Sequence, residues 1–182
     1  EALLAAAAGD PDLGRATVEA SRVASGAVSA LAVGPDGEPF VPRGDAVGAP
    51  STTYVSAVVT DQDVVVGWVG DSRAYWIGER PGLLTTDHAL GGVLTRWLGA
   101  DAGEITAQVS TFRPDGPGAV LVCSDGLWNY LPEPQQLAEV ALSMARTDPA
   151  AAAAELTRHA LDAGGRDNIT VVVVPYPPEA PA

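Results

Sequence analysis

Short β-rich segments with very tight connections constrain the fold of this chain more than any other feature. Residues 51–60 (STTYVSAVVT) and 64–69 (VVVGWV) are strand-like, and only residues 61–63 separate them, which is typical of a hairpin. A third β-rich run, residues 73–77 (RAYWI), follows the turn at 70–72 (GDS). Parallel strands need crossover connections of about a dozen residues or more, so these short connections predict an antiparallel sheet.

Capping residues and apolar spacing predict three helices. Residues 12–33 carry leucines and valines whose spacing is mostly consistent with one buried helix face. Two later helices are predicted at 133–146 and 148–162, where Asp148 is a suitable N-cap. Residues 93–98 are expected to form a helical turn.

Further strands are expected after the third β-rich run. Residues 83–86 are a candidate for a short additional strand, and residues 108–112 and 119–123 suggest a second hairpin. Residues 168–174 (NITVVVV) indicate a continuous apolar strand that is buried on both faces and ended by Pro175.

Length and charge narrow the class of protein. A chain of 182 residues that is 47% hydrophobic predicts a single domain over 1–182, with a flexible tail at 176–182. The formal net charge is -13 and all ten basic residues are arginine, which disfavours nucleic acid and anionic membranes as partners. Cys123 is the single cysteine, and its apolar surroundings indicate a core residue in a reducing compartment. Since no apolar stretch approaches the roughly 20 residues of a membrane span, a cytoplasmic location is expected.

Three predicted strand ends carry an aspartate beside a small or turn-forming residue. These are Asp71 in GDS, Asp125 in SDG and Asp167 in RDN. Hard divalent cations prefer oxygen ligands, and Mg²⁺ or Mn²⁺ sites that act on phosphates use a few carboxylates. The three side chains would form such a site if the strands converge, although three unrelated turns would give the same spacing.

Five ordered segments resemble the motifs of a known family. GWVGDSRAYWI, LLTTDHAL, LTRWLG, LVCSDGLWNYL and GGRDNITVVVV, within residues 51–174, are similar to successive motifs of the PP2C-type (PPM family) metal-dependent serine/threonine phosphatases. The resemblance implies an α+β fold, an α-β-β-α sandwich of two antiparallel sheets flanked by helices. It also implies a binuclear Mn²⁺ or Mg²⁺ centre with a third, weaker site. There, a metal-activated water hydrolyses phosphoserine or phosphothreonine of a phosphorylated protein.

The family motifs assign expected roles to individual side chains. By motif, Asp125 and Asp167 would be ligands of the paired metal centre, and Asp71 would lie near it or help Asp125 hold the third ion. No side chain is expected to act as a catalyst beyond the metal-activated water. Three further residues are expected to orient these carboxylates without touching metal: Asn168, Ser124 and Arg73.

Two departures from the family pattern bear on activity. The family's amino-terminal portion contains a phosphate-binding Arg, a Glu-Asp pair and an Asp-Gly-x-Gly-Gly motif whose Asp bridges both metals, and it has no counterpart here. Amino-terminal strands are therefore expected to be missing, and residues 1–8 resemble the helix that follows that motif. The family's flap, a helical insertion on the scale of about 30 residues, is replaced by 88–92. We therefore expect the chain alone to be weak or inactive.

Two other functions fit parts of the sequence. A non-catalytic PP2C-like domain that binds a phosphoprotein or regulatory partner would fit the lost bridging aspartate, but it would not need three retained carboxylates. A serine hydrolase could use Ser72, Asp125 and His159, which occur in that order, but its nucleophile must lead from a strand into a helix, whereas 73–77 indicates a strand. His88 is expected in a surface or capping role.

Overall fold

The helices and strands of the protein are taken from a computed structural model, which describes residues 12–34, 37–38 and 48–177. The helices in these ranges are α1 (Leu13–Ala30), α2 (Asp125–Trp128), α3 (Pro134–Ala141) and α4 (Pro149–Asp162). The strands are β1 (Ser51–Thr52), β2 (Tyr54–Val59), β3 (Val64–Val69), β4 (Arg73–Ile77), β5 (Gly82–Leu83), β6 (Ala89–Leu90), β7 (Val93–Leu94), β8 (Leu98–Gly99), β9 (Gln108–Phe112), β10 (Gly118–Cys123) and β11 (Val171–Tyr176).

Two antiparallel sheets form the framework. One has the strand order β2-β3-β9 and the other the order β11-β10-β4-β5, while β1 with β8 and β6 with β7 form short ribbons. Val59 pairs with Val64 across the turn between β2 and β3, so the predicted hairpin is confirmed. The antiparallel pairing predicted from the short connections is confirmed as well.

The side chains of β3 alternate between two buried layers. Val64, Val66 and Trp68 point between the sheets, where they share a cluster with Trp76 and Val120 of the other sheet. Helices α3 and α4 cover the outer face of the four-stranded sheet, and α1 covers β3. The four layers are therefore helix, sheet, sheet and helix, which confirms the predicted α-β-β-α sandwich.

Close contact between α1 and β3 depends on a glycine. A Cβ atom added to Gly67 would lie 2.2 Å from Cγ2 of Thr17, and Thr17 is fully buried. The Thr17 hydroxyl donates to the Leu13 carbonyl at 2.7 Å, which fixes its side chain on this face of the helix. Only a residue without a side chain allows the helix to approach this closely.

Strand pairing differs from the sequence prediction after β3. The strand β4 lies in the four-stranded sheet, although β2 and β3 belong to the three-stranded one. The predicted hairpin of 108–112 and 119–123 is wrong, because β9 pairs with β3 whereas β10 pairs with β4 and β11. The short connection between β9 and β10 carries the chain from one sheet to the other instead of reversing it within a sheet.

Two further elements also differ from their predictions. Residues 93–98 form parts of β7 and β8 and not a helical turn, because Gly91 and Gly92 have φ of 61° and 82° and connect β6 to β7 as a two-residue hairpin. The helix predicted at 133–146 ends at Ala141.

The last strand lies at the edge of its sheet. Residue Val172 of β11 is 49% exposed, so the prediction that this segment is buried on both faces is wrong. Pro175 lies within the strand, as an edge position allows, since it has no N–H to donate to the ladder. Tyr176 ends the strand, is buried, and donates its hydroxyl to the Asp61 carbonyl at 3.1 Å.

Some predictions concern residues outside the described ranges. The helix predicted at 1–8 and the tail residues 178–182 lie there. Within the described ranges, every helix is too short or too polar to cross a bilayer.

The contact at Gly67 gives a test of the α1 packing. Substitution Gly67→Ala should lower the free energy of unfolding by about 1–3 kcal/mol, because the added methyl group overlaps Thr17. Urea denaturation of both proteins measures this difference. The matched control is Gly26→Ala on α1, where an added Cβ meets nothing within 4 Å. That control should stabilise the chain by about 0.5–1 kcal/mol, because alanine favours a helix interior over glycine. Equal effects of the two substitutions would contradict the close contact at Gly67.

Burial of Cys123 predicts an unreactive thiol. Desolvation raises the pKa of Cys123 to about 12, and the side chain is 1% exposed. We expect a disulfide reagent to modify the folded chain at least ~1000-fold more slowly than the urea-unfolded chain at the same pH. The thiol ionises at a lower pH in the unfolded chain than in the folded one. The free energy of unfolding should therefore also fall as the pH rises above roughly 8.5. Rapid stoichiometric modification of the folded chain would contradict this.

Candidate metal centre

Strand register brings the three predicted metal ligands to one edge of the four-stranded sheet. Cys123, the last residue of β10, pairs with Arg73 at the start of β4 and with Val171 at the start of β11. Asp71 therefore precedes one strand, Asp125 follows the next, and the Asp167 loop precedes the third, all at the same end of neighbouring strands. The register thus brings the three loops to the same end of the sheet, which sequence spacing alone left open.

Hydrogen bonds join the end of β10 to the loop before β11. The Ser124 hydroxyl donates to the Asn168 carbonyl and accepts from the Thr170 N–H, both at 3.1 Å. A Cβ atom added to Gly126 would lie 2.2 Å from the same Asn168 oxygen, so the two loops touch through backbone atoms. The Asn168 N–H donates to Oδ1 of Asp167 at 2.7 Å, which fixes that carboxylate relative to its own loop.

An arginine, a tryptophan and a carboxylate hold the loop that carries Asp71. The Trp128 indole donates to the Asp71 carbonyl at 2.9 Å, and the Arg73 guanidinium lies 3.8 Å from the centroid of the same ring. Arg73 binds Asp87 with two nitrogens, the shorter contact being 2.8 Å, and donates to the Tyr75 hydroxyl at 3.1 Å. Burial tends to lower the pKa of Arg73, but these hydrogen bonds outweigh it and the net pKa is raised.

A buried histidine holds the start of the same loop. The N–H of Gly70, a residue with φ of 104°, donates to Nδ1 of His88 at 3.0 Å. The backbone N–H of His88 donates to the Gly70 carbonyl at 2.9 Å. Because Nδ1 acts as an acceptor, Nε2 is the ring nitrogen that bears hydrogen, and its N–H donates a hydrogen bond to Oε1 of Gln108 at 2.7 Å. Of the surface or capping role expected for His88, the surface part is wrong: the ring is buried and accepts a hydrogen bond from the Gly70 backbone.

The environment of Ser72 does not fit a nucleophile. Ser72 is buried, and its hydroxyl shares a hydrogen bond of 2.8 Å with the Thr53 hydroxyl. The chain passes directly from Ser72 into β4 and not into a helix. The strand-to-helix turn that a serine hydrolase needs is absent at this position, so this alternative loses its structural basis.

Two of the aspartates interact electrostatically. Burial raises the pKa of Asp71, and repulsion by Asp125 adds to this effect, while the nearby Arg73 opposes it. Oxygen donors that repel one another suit a hard divalent cation, which would remove the repulsion. Among the residues that the structure describes, no group of three or more His, Cys, Asp or Glu side chains is arranged to hold a metal ion.

Sequence reasoning missed two residues of this network. Trp128 lies within a quoted motif without an assigned role, and its indole N–H binds the Asp71 loop. Asp87 was part of a quoted motif without an assigned role. An arginine that is mostly buried needs a carboxylate partner, so Arg73 signalled that a partner exists but not which of the acidic residues it is.

Comparisons with known proteins agree with this architecture. No family model matches the chain. It is 32% identical over 144 residues to the serine/threonine phosphatase stp of Listeria innocua, a match that covers 68% of this chain and 56% of the relative. It is 33% identical over 159 residues to a protein of Oryza sativa subsp. japonica named "Probable protein phosphatase 2C 68", covering 68% and 44% respectively. The chain thus spans about half the length of the curated relatives it matches.

A solved structure has the same fold. The catalytic domain of the serine threonine protein phosphatase PstP, in complex with two manganese ions, superposes with a TM-score of 0.71 at 23% identity. The superposition covers 94% of this chain and 77% of the solved chain. This likeness extends over both sheets and confirms the predicted fold class.

The hydrogen bond between Trp128 and the Asp71 carbonyl can be tested by removing its donor. Substitution Trp128→Phe keeps an aromatic ring beneath Arg73 but loses the N–H, so the free energy of unfolding should fall by about 1 kcal/mol or more. The matched control is Trp97→Phe, since Trp97 donates to Asp101 in an exposed contact. It should change stability by less than about 0.5 kcal/mol in the same urea titration. Equal losses of stability in the two variants would contradict a stabilising hydrogen bond between Trp128 and the Asp71 loop.

Proposed function

We propose that this chain, a member of the PP2C-type family of metal-dependent serine/threonine phosphatases, supplies metal ligands to a protein phosphatase. The reaction is hydrolysis of phosphoserine and phosphothreonine in phosphorylated proteins. The observation that carries the proposal is the strand register, which puts Asp71, Asp125 and Asp167 at one sheet edge. The names of the relatives support the same activity.

The proposed ligands are carboxylates on neighbouring loops. Asp125 and Asp167 bind the metal pair, and Asp71 helps Asp125 hold a further ion. The repulsion between Asp71 and Asp125 supports this assignment, since a bound cation would compensate it. Mn²⁺ or Mg²⁺ is proposed because both are hard cations that prefer oxygen donors and act on phosphates.

The bound cations would supply the chemistry: they lower the pKa of water and neutralise phosphate oxygens. The protein's own residues set the positions of the carboxylates. Ser124 ties the Asp125 strand end to the loop of Asp167, while Trp128 and Arg73 hold the backbone of Asp71. Such supporting groups typically change metal affinity or activity by about 10- to 100-fold when they are altered.

Metal titration tests the proposed ligands. We expect calorimetry to detect Mn²⁺ binding by the chain, and Asp125→Asn to weaken it by about 10-fold or more, because a charged oxygen ligand is lost. The matched control is Asp61→Asn, an exposed aspartate in the turn before β3, at the other end of that strand from Asp71. The control should leave the affinity unchanged.

Hydrolysis of a phosphothreonine peptide, measured with Mn²⁺ and again with excess chelator, tests the reaction itself. Because the chain alone is expected to be weak or inactive, its turnover should be low; it should require Mn²⁺ and should fall in Asp125→Asn but not in Asp61→Asn. If neither binding nor turnover differs between these two variants, the metal centre is not formed by Asp125. A non-catalytic domain that binds a phosphoprotein would then be the better description.

A further inference from the structure

A cavity lies directly beside the proposed metal ligands. Its volume is about 430 Å³, and its lining consists of Gly126, Asn129, Tyr130, Ala163, Arg166 and Asp167. A volume of this size falls within the usual range for small-ligand sites. Two of the lining residues adjoin the metal centre, because Gly126 follows Asp125 and Asp167 is itself a proposed ligand. Whatever occupies the cavity would therefore lie beside the proposed metal ligands.

The wall that carries Arg166 is fixed by backbone contacts. The Arg166 N–H donates to the Tyr130 hydroxyl at 3.0 Å, and the Gly165 N–H donates to the Ala160 carbonyl at 3.0 Å. Gly164 and Gly165 have φ of 136° and 52°, values that favour glycine and turn the chain sharply after α4. A Cβ atom on Gly164 would lie only 3.3 Å from the Tyr130 hydroxyl. The loop thus presents Arg166 from a defined position.

The charge of Arg166 is not compensated within the described part of the chain. Other arginines form ion pairs, such as Arg73 with Asp87 and Arg113 with Asp63, whereas the structure gives the Arg166 side chain no such partner among the described residues. Arg166 is the only basic residue that lines the cavity, and its guanidinium offers five N–H donors.

Uncharged residues that can donate hydrogen bonds line the same cavity as Arg166. The Tyr130 hydroxyl accepts from the Arg166 backbone and retains its own proton, and Asn129, a residue with an amide side chain, is also in the lining. Asp167 is the only acidic residue in the lining, and in the proposed function its charge faces metal ions. A cavity with several donors and one unpaired cation is suited to an anionic group.

We infer that this cavity binds an anionic side chain of the substrate, next to the phosphoester, and that Arg166 determines this specificity. The ligand is a carboxylate or a second phosphate on a residue that flanks the phosphoserine or phosphothreonine. The inference rests on the proposed function, because it is the metal centre that positions the phosphoester beside the cavity.

Peptide binding tests the inference without requiring turnover. Three fluorescent phosphothreonine peptides would differ at one flanking residue, which is Gln, Glu or phosphoserine, and their affinities would be measured by anisotropy in the presence of Mn²⁺, before hydrolysis proceeds. The wild-type chain should bind the Glu and phosphoserine peptides roughly 3- to 10-fold more tightly than the Gln peptide, as expected for a partly exposed charge-assisted contact. In Arg166→Gln this ratio should fall to about one.

The matched control is Arg146→Gln, which removes the same charge from an exposed arginine that follows α3 and lines no part of this cavity. The ratio of affinities should stay at the wild-type value in this variant. Comparison of the Glu and phosphoserine peptides shows which of the two anions is preferred.

Each outcome bears on one proposal. An unchanged ratio in Arg166→Gln, an equal fall in Arg146→Gln, or a wild-type chain that does not distinguish the peptides would overturn the role of Arg166. If the ratio responds to Arg166 but Mn²⁺ binding does not depend on Asp125, the proposed metal centre fails while the anion site stands. If Mn²⁺ binding depends on Asp125 and the ratio does not respond to Arg166, the metal centre stands and the anion site fails.

Discussion

The candidate site depends on the register of β10 with its two neighbours. Both faces of β10 are buried: Leu121 and Cys123 point towards the helices, and Val120 points between the sheets. A shift by one residue would exchange these faces, so core packing specifies the register strongly. Since the register aligns Cys123 with the starts of β4 and β11, the same packing aligns the three loops. The apolar core therefore determines where the acidic residues lie.

Side-chain contacts then fix the positions of the three loops that the strand register brings to one end of the sheet. Trp128 and Arg73 link two of the loops, and Asp87 compensates a guanidinium that would otherwise be buried as an isolated charge. Ser124 links the third loop through the Asn168 backbone. None of these links uses the side-chain carboxylate of a proposed ligand, so they fix the loops through other atoms. Loops that are held in this way are a suitable support for a metal centre.

The parts of the fold that sequence reasoning predicted are those with local determinants. Asp148 caps α4 through its own side chain, and the β2–β3 hairpin follows from the four-residue connection 60–63. The choice of partner strand is not local: the connection between β9 and β10 is short enough for a hairpin but crosses between sheets. The position of His88 depends on Gly70 and Gln108, residues 18 and 20 positions away. The three aspartates were predictable as residues from the strand ends, whereas their convergence required the sheet order.

The acidic character of the chain explains why the proposed site would need two kinds of positive group, metal ions and a guanidinium. With a net charge of -13, the chain repels an acidic phosphoprotein at long range, and this repulsion is screened beyond about 8–10 Å at physiological salt. Attraction must then come from charges within the site. Arg73 contributes little, because Asp87 already compensates it, whereas metal ions at Asp125 and the unpaired guanidinium of Arg166 would both act at short range. Short-range attraction selects for the groups that flank the phosphate more than for the overall charge of the substrate.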